Sequence, residues 1–241
     1  MSSTLFIADL HLHSARPAVT RALAKLLCQH TDCDRLYILG DLFDAWIGDD
    51  DDSPIATEVA TILRDFSATG PGLFIMQGNR DFLLGQAFCQ LAGAQLLPDP
   101  SVIDLHGEPT LLMHGDSLCT LDTEYQTFRA TARDPQWQAQ LLALELPKRR
   151  ALASQLRDMS REANSNKAED IMDVTPSEVE KVMRDFDVKQ LIHGHTHRPA
   201  HHVISTGRRW VLGDWDRRGW AITASPGEIK LNNFVIKQLI A

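Results

Sequence analysis

Five short apolar runs in this 241-residue chain each lead into a cluster of Asp, Asn or His beside glycine. Thr4 to Ala8 leads into Asp9-Leu10-His11, and Arg35 to Leu39 into Gly40-Asp41. Gly72 to Met76 is followed by Gly78-Asn79-Arg80-Asp81, Pro109 to Met113 by His114-Gly115-Asp116, and Lys189 to His193 by Gly194-His195-Thr196-His197. Apolar runs of this length bounded by turn-forming residues read as buried strands. Between the first two, Val19, Ala22, Leu23, Leu26 and Leu27 recur at i, i+3, i+4, i+7 and i+8 behind Pro17, which is one face of a helix. Ile55, Val59, Ile62, Leu63 and Phe66 repeat the pattern behind Pro54. Strands alternating with helices need crossover connections, so the first half predicts a largely parallel sheet with helices on its faces.

The carboxyl ends of parallel strands share one edge, and open α/β folds bind ligands there. The pattern therefore predicts that the five polar clusters converge. Asp9 and His11, like His195 and His197, are two residues apart and project to the same side of an extended segment, a spacing suited to chelation. One His in a glycine-rich turn is ordinarily only hydrogen-bonded, and one Asp before a helix is ordinarily a cap. Five clusters on one edge are different, because carboxylates and imidazoles in contact repel their own kind without a counter-charge. A pair of divalent cations supplies that charge. Imidazole, amide and carboxylate donors without thiolate suit Mn²⁺ better than a structural zinc site.

Residues 121–168 are rich in Ala, Leu, Gln and Arg and lack a strand-like run, which predicts a helical insertion within one domain spanning 1–241. Thr175-Pro176-Ser177-Glu178 reads as a capping box opening a helix that runs to Phe186. Beyond His201, apolar runs separated by Gly and Pro predict antiparallel hairpins. A net charge of −8 argues against nucleic acid as a partner, and no apolar run approaches the roughly 20 residues that span a bilayer. The four cysteines form no C-x-x-C pair and are expected as reduced thiols, and no export signal is visible at the start, so a cytoplasmic monomer is expected.

Asp9-x-His11, Gly40-Asp41, Gly78-Asn79-Arg80-Asp81, His114-Gly115-Asp116 and Gly194-His195-Thr196-His197 together resemble the five blocks of the calcineurin-like metallophosphoesterases, in order and with no ligand position lost. That resemblance implies an α/β fold, a four-layer αββα sandwich, around a two-metal centre. It implies Asp9, His11 and His197 as ligands of one ion, Asn79, His114 and His195 as ligands of the other, and Asp41 bridging. Arg80 and His195 would stabilise charge on phosphoryl oxygens.

Leu36 to Asp50, Gly78 to Gly85, Leu112 to Thr120, Ala163-Asn164 through Asp173-Val174, and Leu191 to Pro199 resemble, more narrowly, the UDP-2,3-diacylglucosamine pyrophosphatases of lipid A biosynthesis. The likeness weakens after about residue 200. It implies water attack on the α-phosphorus of UDP-2,3-diacylglucosamine, giving UMP and 2,3-diacylglucosamine 1-phosphate, by an enzyme peripheral to the cytoplasmic face of the inner membrane. It also implies Asn79, Arg80, Asp122, Ser160, Asn164, Lys167 and His195 as substrate contacts. Another dinuclear-metal phosphodiesterase or nucleotide pyrophosphatase is the alternative.

Within the insertion, Ser160, Asn164 and Lys167 would share one helical face. Trp137, Leu141, Leu142, Leu144, Leu152 and Leu156 are candidates to line a groove for acyl chains, and Lys148-Arg149-Arg150 with Arg157 and Arg161 to face anionic headgroups. Asp49 to Asp52 reads as a solvated loop capping the next helix, Trp46 as core or lid packing, and Asp81 and Asp116 as groups that orient a metal-bound His or an Arg or simply close a turn.

Overall fold

A computed structural model describes residues 2–165 and 171–237, the side chains of 160–165 excepted. The chain runs β1 (Thr4–Ile7), α1 (Pro17–Cys28), β2 (Arg35–Leu39), α2 (Pro54–Ser67), β3 (Gly72–Met76), α3 (Gln86–Ala92) and β4 (Gln95–Leu97). A hairpin of β5 (Ser101–Leu105) and β6 (Glu108–Met113) follows. Then come helices α4 (Thr123–Ala132), α5 (Pro135–Leu142), α6 (Leu146–Ser165) and α7 (Pro176–Asp185). The last strands are β7 (Gln190–His193), β8 (Ala200–Ile204), β9 (Gly207–Val211), β10 (Arg218–Ser225) and β11 (Glu228–Val235).

Two sheets form, ordered β11-β10-β1-β2-β3-β4 and β5-β6-β7-β9-β8. In the first, β1 through β4 are parallel and β10 joins β1 antiparallel. In the second, β6, β7 and β9 are parallel between antiparallel edges. Side chains alternate along β1, so Phe6 and Ala8 face the second sheet while Leu5 and Ile7 face the helices. Phe6, Leu39 and Met76 meet Leu112, Ile192 and Leu212 between the sheets. Tyr37 stacks there between Phe6 (ring centroids 5.2 Å apart) and Phe74 (4.8 Å). Helices α1, α2 and α3 cover the outer face of the first sheet through Leu23, Leu63 and Phe88. Helix α7 covers the second through Val179 and Met183. Strands buried on both faces are apolar at every position, which explains the unbroken runs.

The layering is the expected αββα sandwich, with hairpins late in the chain. Two details differ. The five runs do not share one sheet: β1, β2 and β3 lie in the first, β6 and β7 in the second. The predicted capping box is also not made, because the Thr175 hydroxyl accepts from Thr120 Oγ1 at 2.8 Å and leaves α7 without a side-chain cap. Among the described residues no helix is long and apolar enough to cross a membrane.

Phe6 is fully buried between the sheets. Phe6→Ala is expected to cost about 3–5 kcal/mol, read as a lower urea midpoint with little change in m.

Candidate metal centre

The loops after the strands are stitched together by backbone. Asp9 and His11 donate from N–H to the carbonyls of Gly40 (3.1 Å) and Asp41 (3.0 Å), so the loops after β1 and β2 run side by side. Gly194 N–H donates to the His114 carbonyl at 2.9 Å within the second sheet's loops, and Trp215 N–H to that of Asp9 at 3.1 Å joins the two sheets at this edge. A side chain at Gly78 would place Cβ 2.0 Å from Asp41 Oδ1, so only glycine admits that approach.

Five candidate ligands sit in left-handed backbone: Asp9 at φ +56°, His11 at +48°, Asp41 at +52°, His195 at +68° and His197 at +55°. Non-glycine residues rarely adopt that region, and holding them there costs roughly 1 kcal/mol or more each. Such strain persists where the surroundings over-determine it. Much of that comes from buried Asp81, whose oxygens accept from the N–H groups of Gly78 (2.7 Å), Leu42 (2.7 Å), Asp41 (3.2 Å) and Phe43 (3.3 Å). Asp81 thus orients backbone, not the His or Arg side chain expected of it.

The donors gather in two clusters around Asp41. In one, His11 Nε2 and His197 Nε2 lie 3.2 Å apart, and Asp9 Oδ1 is 3.6 Å from His197 Nε2. In the other, Asn79 Oδ1 is 3.0 Å from His114 Nε2 and 2.9 Å from His195 Nδ1. Asp41 reaches both, with Oδ2 3.9 Å from His11 Nδ1 and Oδ1 3.8 Å from His114 Nε2. Donor atoms of Asp9, His11 and His197, and of Asp9, Asp41 and His114, lie close enough to share a cation. His114 Nδ1 donates to the Leu39 carbonyl at 2.9 Å, which leaves Nε2 to face the cluster.

Burial and mutual charge shift every titratable member of the donor set. Burial pushes Asp41 up to about 7, against the pull of His114 and with the Asp81 and Asp9 charges adding to the rise. Burial opposes ionisation of Asp9 as well, but its hydrogen bond to His197 and the nearby imidazoles hold it at about 2. Burial, with the charge of His114, brings His195 down to about 3, and burial with His197 drives His11 well below its usual value. Burial alone would lower His114 too, yet Asp41, Asp116 and Asp9 raise it to about 9. His11 Nδ1 is buried with no hydrogen-bond partner. Imidazoles, an amide oxygen and two carboxylates facing one another fit divalent cations.

The candidate substrate contacts divide. Asn79, Arg80, Asp122 and His195 line one chamber of about 300 Å³ around Asp41. Asp122 also caps α4, accepting from Tyr125 N–H at 3.1 Å. The side chains of Ser160, Arg161 and Asn164, and the whole of Lys167, lie outside the described residues.

At Asn79, Arg80 and Tyr125 the chamber meets a groove of about 310 Å³. Its apolar walls are Trp46, Phe82, Phe128, Leu141, Leu152 and Leu156. Of the proposed groove anchors, Trp137 packs on Phe82 instead (5.9 Å), while Leu142 and Leu144 are exposed. The basic run is also spent differently. Arg149, only 5% exposed, pairs with Asp50 and donates to the Ile47 carbonyl (2.7 Å). Arg150 pairs with Asp51 and Asp52, and Arg157 with Asp44. The acidic run is therefore the partner of the basic one. Asp49 caps α3 rather than α2, accepting from Gly85 N–H (2.9 Å) and Phe88 N–H (3.0 Å) while holding Trp46 Nε1 (3.1 Å).

Sequence reasoning missed one working face. Tyr125, Arg129 and Arg133 recur every four residues on α4. Tyr125 donates its hydroxyl to Asp116 (2.8 Å) with its ring 5.7 Å from that of His195. Arg129 donates to Asp116 (2.8 Å), and Arg133 to the carbonyls of Gln77 (3.3 Å) and Gly78 (3.1 Å). The i, i+4, i+8 spacing of polar groups was the available signal.

Residues 2–199 match the calcineurin-like phosphoesterases. The chain belongs to that family. Among calcineurin-like relatives, the UDP-2,3-diacylglucosamine hydrolase of Cellvibrio japonicus is 56% identical over 239 residues, covering 97% of this chain and 100% of that one. The enzyme of the same name from Marinobacter nauticus is 52% identical over 231 residues, covering 94% and 95%. An archaeal phosphodiesterase shares the fold at a TM-score of 0.51 and 10% identity, over 97% of this chain and 99% of that one. A hypothetical protein from Pyrococcus horikoshii does so at 0.52 and 13% identity, over 98% and 88%.

Because the donors converge in a folded arrangement that suits divalent cations, saturating divalent metal is expected to stabilise the folded chain. At a hundredfold excess over Kd the gain is about 2.7 kcal/mol, or roughly 5–11 °C in thermal midpoint. Scanning calorimetry of chelator-treated protein with and without Mn²⁺ checks this, and His114→Ala should shrink the shift.

Proposed function

We propose that this chain hydrolyses the pyrophosphate bond of UDP-2,3-diacylglucosamine by water attack on the α-phosphorus, releasing UMP and 2,3-diacylglucosamine 1-phosphate. The observation that carries this reading is the junction at Asn79, Arg80 and Tyr125, where an apolar groove opens into a chamber of metal-ligand type. A substrate with acyl tails on one arm and a diphosphate at its middle fits that junction, and the Cellvibrio and Marinobacter relatives carry the name of a hydrolase for it.

Two divalent cations, Mn²⁺ in this reading, would supply charge that acidifies a water and stabilises an in-line displacement. Asp9, His11 and His197 would hold one and Asn79, His114 and His195 the other, with Asp41 between them. Arg80 brings a permanent positive charge and a fork of donors to the phosphoryl oxygens. Its backbone N–H donates to Asp41 Oδ1 at 2.8 Å, which fixes its place beside the cluster. His195, neutral and turned by Tyr125 and Asn79, would face the same oxygens. Helix α6, laced to the loop after Asp41 by Arg149, Arg150 and Arg157, would close the acyl groove and exclude water from it. Ser160, Asn164 and Lys167 are assigned to the sugar and diphosphate on the resemblance of their segment alone.

We read residues 1–241 as one domain in which 121–168 is the inserted lid. Peripheral association with the cytoplasmic face of the inner membrane would rest on the exposed Leu142, Leu144 and Met159 of that lid. The basic run, committed to Asp50, Asp51 and Asp52, contributes less than its charge suggests.

Purified protein incubated with Mn²⁺ and the UDP-glycolipid is expected to release UMP, followed by chromatography. His11→Ala or Asp41→Asn should cut turnover by more than about a hundredfold, beyond the loss expected for an outer hydrogen-bond partner, with an unchanged circular dichroism spectrum. A simple aryl phosphodiester cleaved as fast as the glycolipid would favour a general dinuclear phosphodiesterase instead.

A further inference from the structure

Part of the lining of the chamber around Asp41 is not shared with the groove. Cys119, Met172, Thr196 and Arg198 belong to that part, and none of them lines the apolar groove. Of the two guanidiniums in the chamber, Arg80 borders both cavities whereas Arg198 borders the chamber alone. On the function proposed above, two arms diverge from the α-phosphorus. One carries the sugar and acyl chains toward the groove, so the other, a ribose and its base, has to leave by a different opening.

We infer that the pocket walled by Cys119, Met172, Thr196 and Arg198 holds the nucleoside monophosphate arm, with Arg198 as its recognition residue and Asp173 positioning it. Arg198 donates to Asp173 Oδ2 at 2.8 Å, and both side chains are part-exposed, at 39% and 32%. Asp173 thereby orients a guanidinium that lines the pocket wall. Such a fork of donors suits a phosphate or ribose oxygen. Cys119 Sγ donates to the Met172 carbonyl at 3.7 Å, which holds the Met172 backbone against this wall of the chamber, and a thioether there suits the flat face of a base. The position of Arg198 directly after His197 ties this pair to the metal cluster through a single peptide unit. Substrate selection would then be split, with the lipid read on one side of Asp41 and the nucleotide on the other.

Inhibition of the full-length, Mn²⁺-loaded chain by each product tests the assignment. Arg198→Gln is expected to raise the inhibition constant of UMP by about tenfold or more and to leave that of 2,3-diacylglucosamine 1-phosphate within twofold, while Arg198→Lys recovers part of the loss. If Arg198→Gln does not fold by circular dichroism, Met172→Ala and Arg198→Lys make the same comparison. Unchanged UMP inhibition, or equal weakening for both products, would overturn the subsite. A wild-type chain that releases no UMP from the glycolipid would instead remove the proposed function, so the two failures are distinguishable.

Discussion

The four backbone N–H groups that converge on Asp81 hold the loops after β2 and β3 in one arrangement. A buried carboxylate is costly unless its lone pairs are filled, and filling them from two loops makes each loop depend on the other. Asp41 hangs from this junction in left-handed backbone, and through Asp41 so do both donor clusters. Five strained residues together approach a sizeable part of the roughly 5–15 kcal/mol by which a domain is stable. Such a loop edge is tolerable only above a core as fully buried as the one between these sheets.

A second set of charges governs the lid. Arg149 is buried and its partner Asp50 is not, so the pair gains from reduced screening on one side while the carboxylate keeps its hydration on the other. The guanidinium also satisfies the carbonyls of Ile47 and Leu144, which leaves no substitute of similar size able to do the same. Arg150 adds an exposed pair whose individual worth is small, and Arg157 a largely buried one with Asp44. The consequence is geometric. Helix α6 is fixed to the segment that follows Asp41, and the groove width and the metal chamber therefore share one structural reference.

The sandwich and the convergence of five polar clusters were legible because both follow from local rules: apolar runs long enough for strands, helical spacing between them, and glycine beside each candidate ligand. Periodicity could not divide the runs between two sheets, since β1 to β3 and β6 to β7 are apolar in the same way whichever sheet they join. The left-handed conformations of Asp9, His11, Asp41, His195 and His197 leave no composition signal, because the loops that impose them are distant in sequence. Charge runs misled for a related reason. Asp49 to Asp52 and Lys148 to Arg150 look solvated when each is read alone, and about a hundred residues separate the partners. The same distance hid the role of Asp49 at the start of α3.

Placing the chemistry at the seam of two sheets has a consequence that one sheet would not offer. His11, Asp41 and Asn79 come from the first sheet, and His114, His195 and His197 from the second, so neither cluster is complete within a single layer. Any shift between the layers separates His114 and His195 from Asn79, and His197 from His11. The bonds that cross the seam, Trp215 N–H to the Asp9 carbonyl at 3.1 Å and His195 N–H to the Asp9 carboxylate at 2.9 Å, resist that shift. Cations bound across the seam would resist it further, since each would draw ligands from both layers. Metal occupancy and the mutual packing of the sheets are then one equilibrium, and the aromatic stack of Phe6, Tyr37 and Phe74 between the layers contributes to the geometry of a centre it never touches.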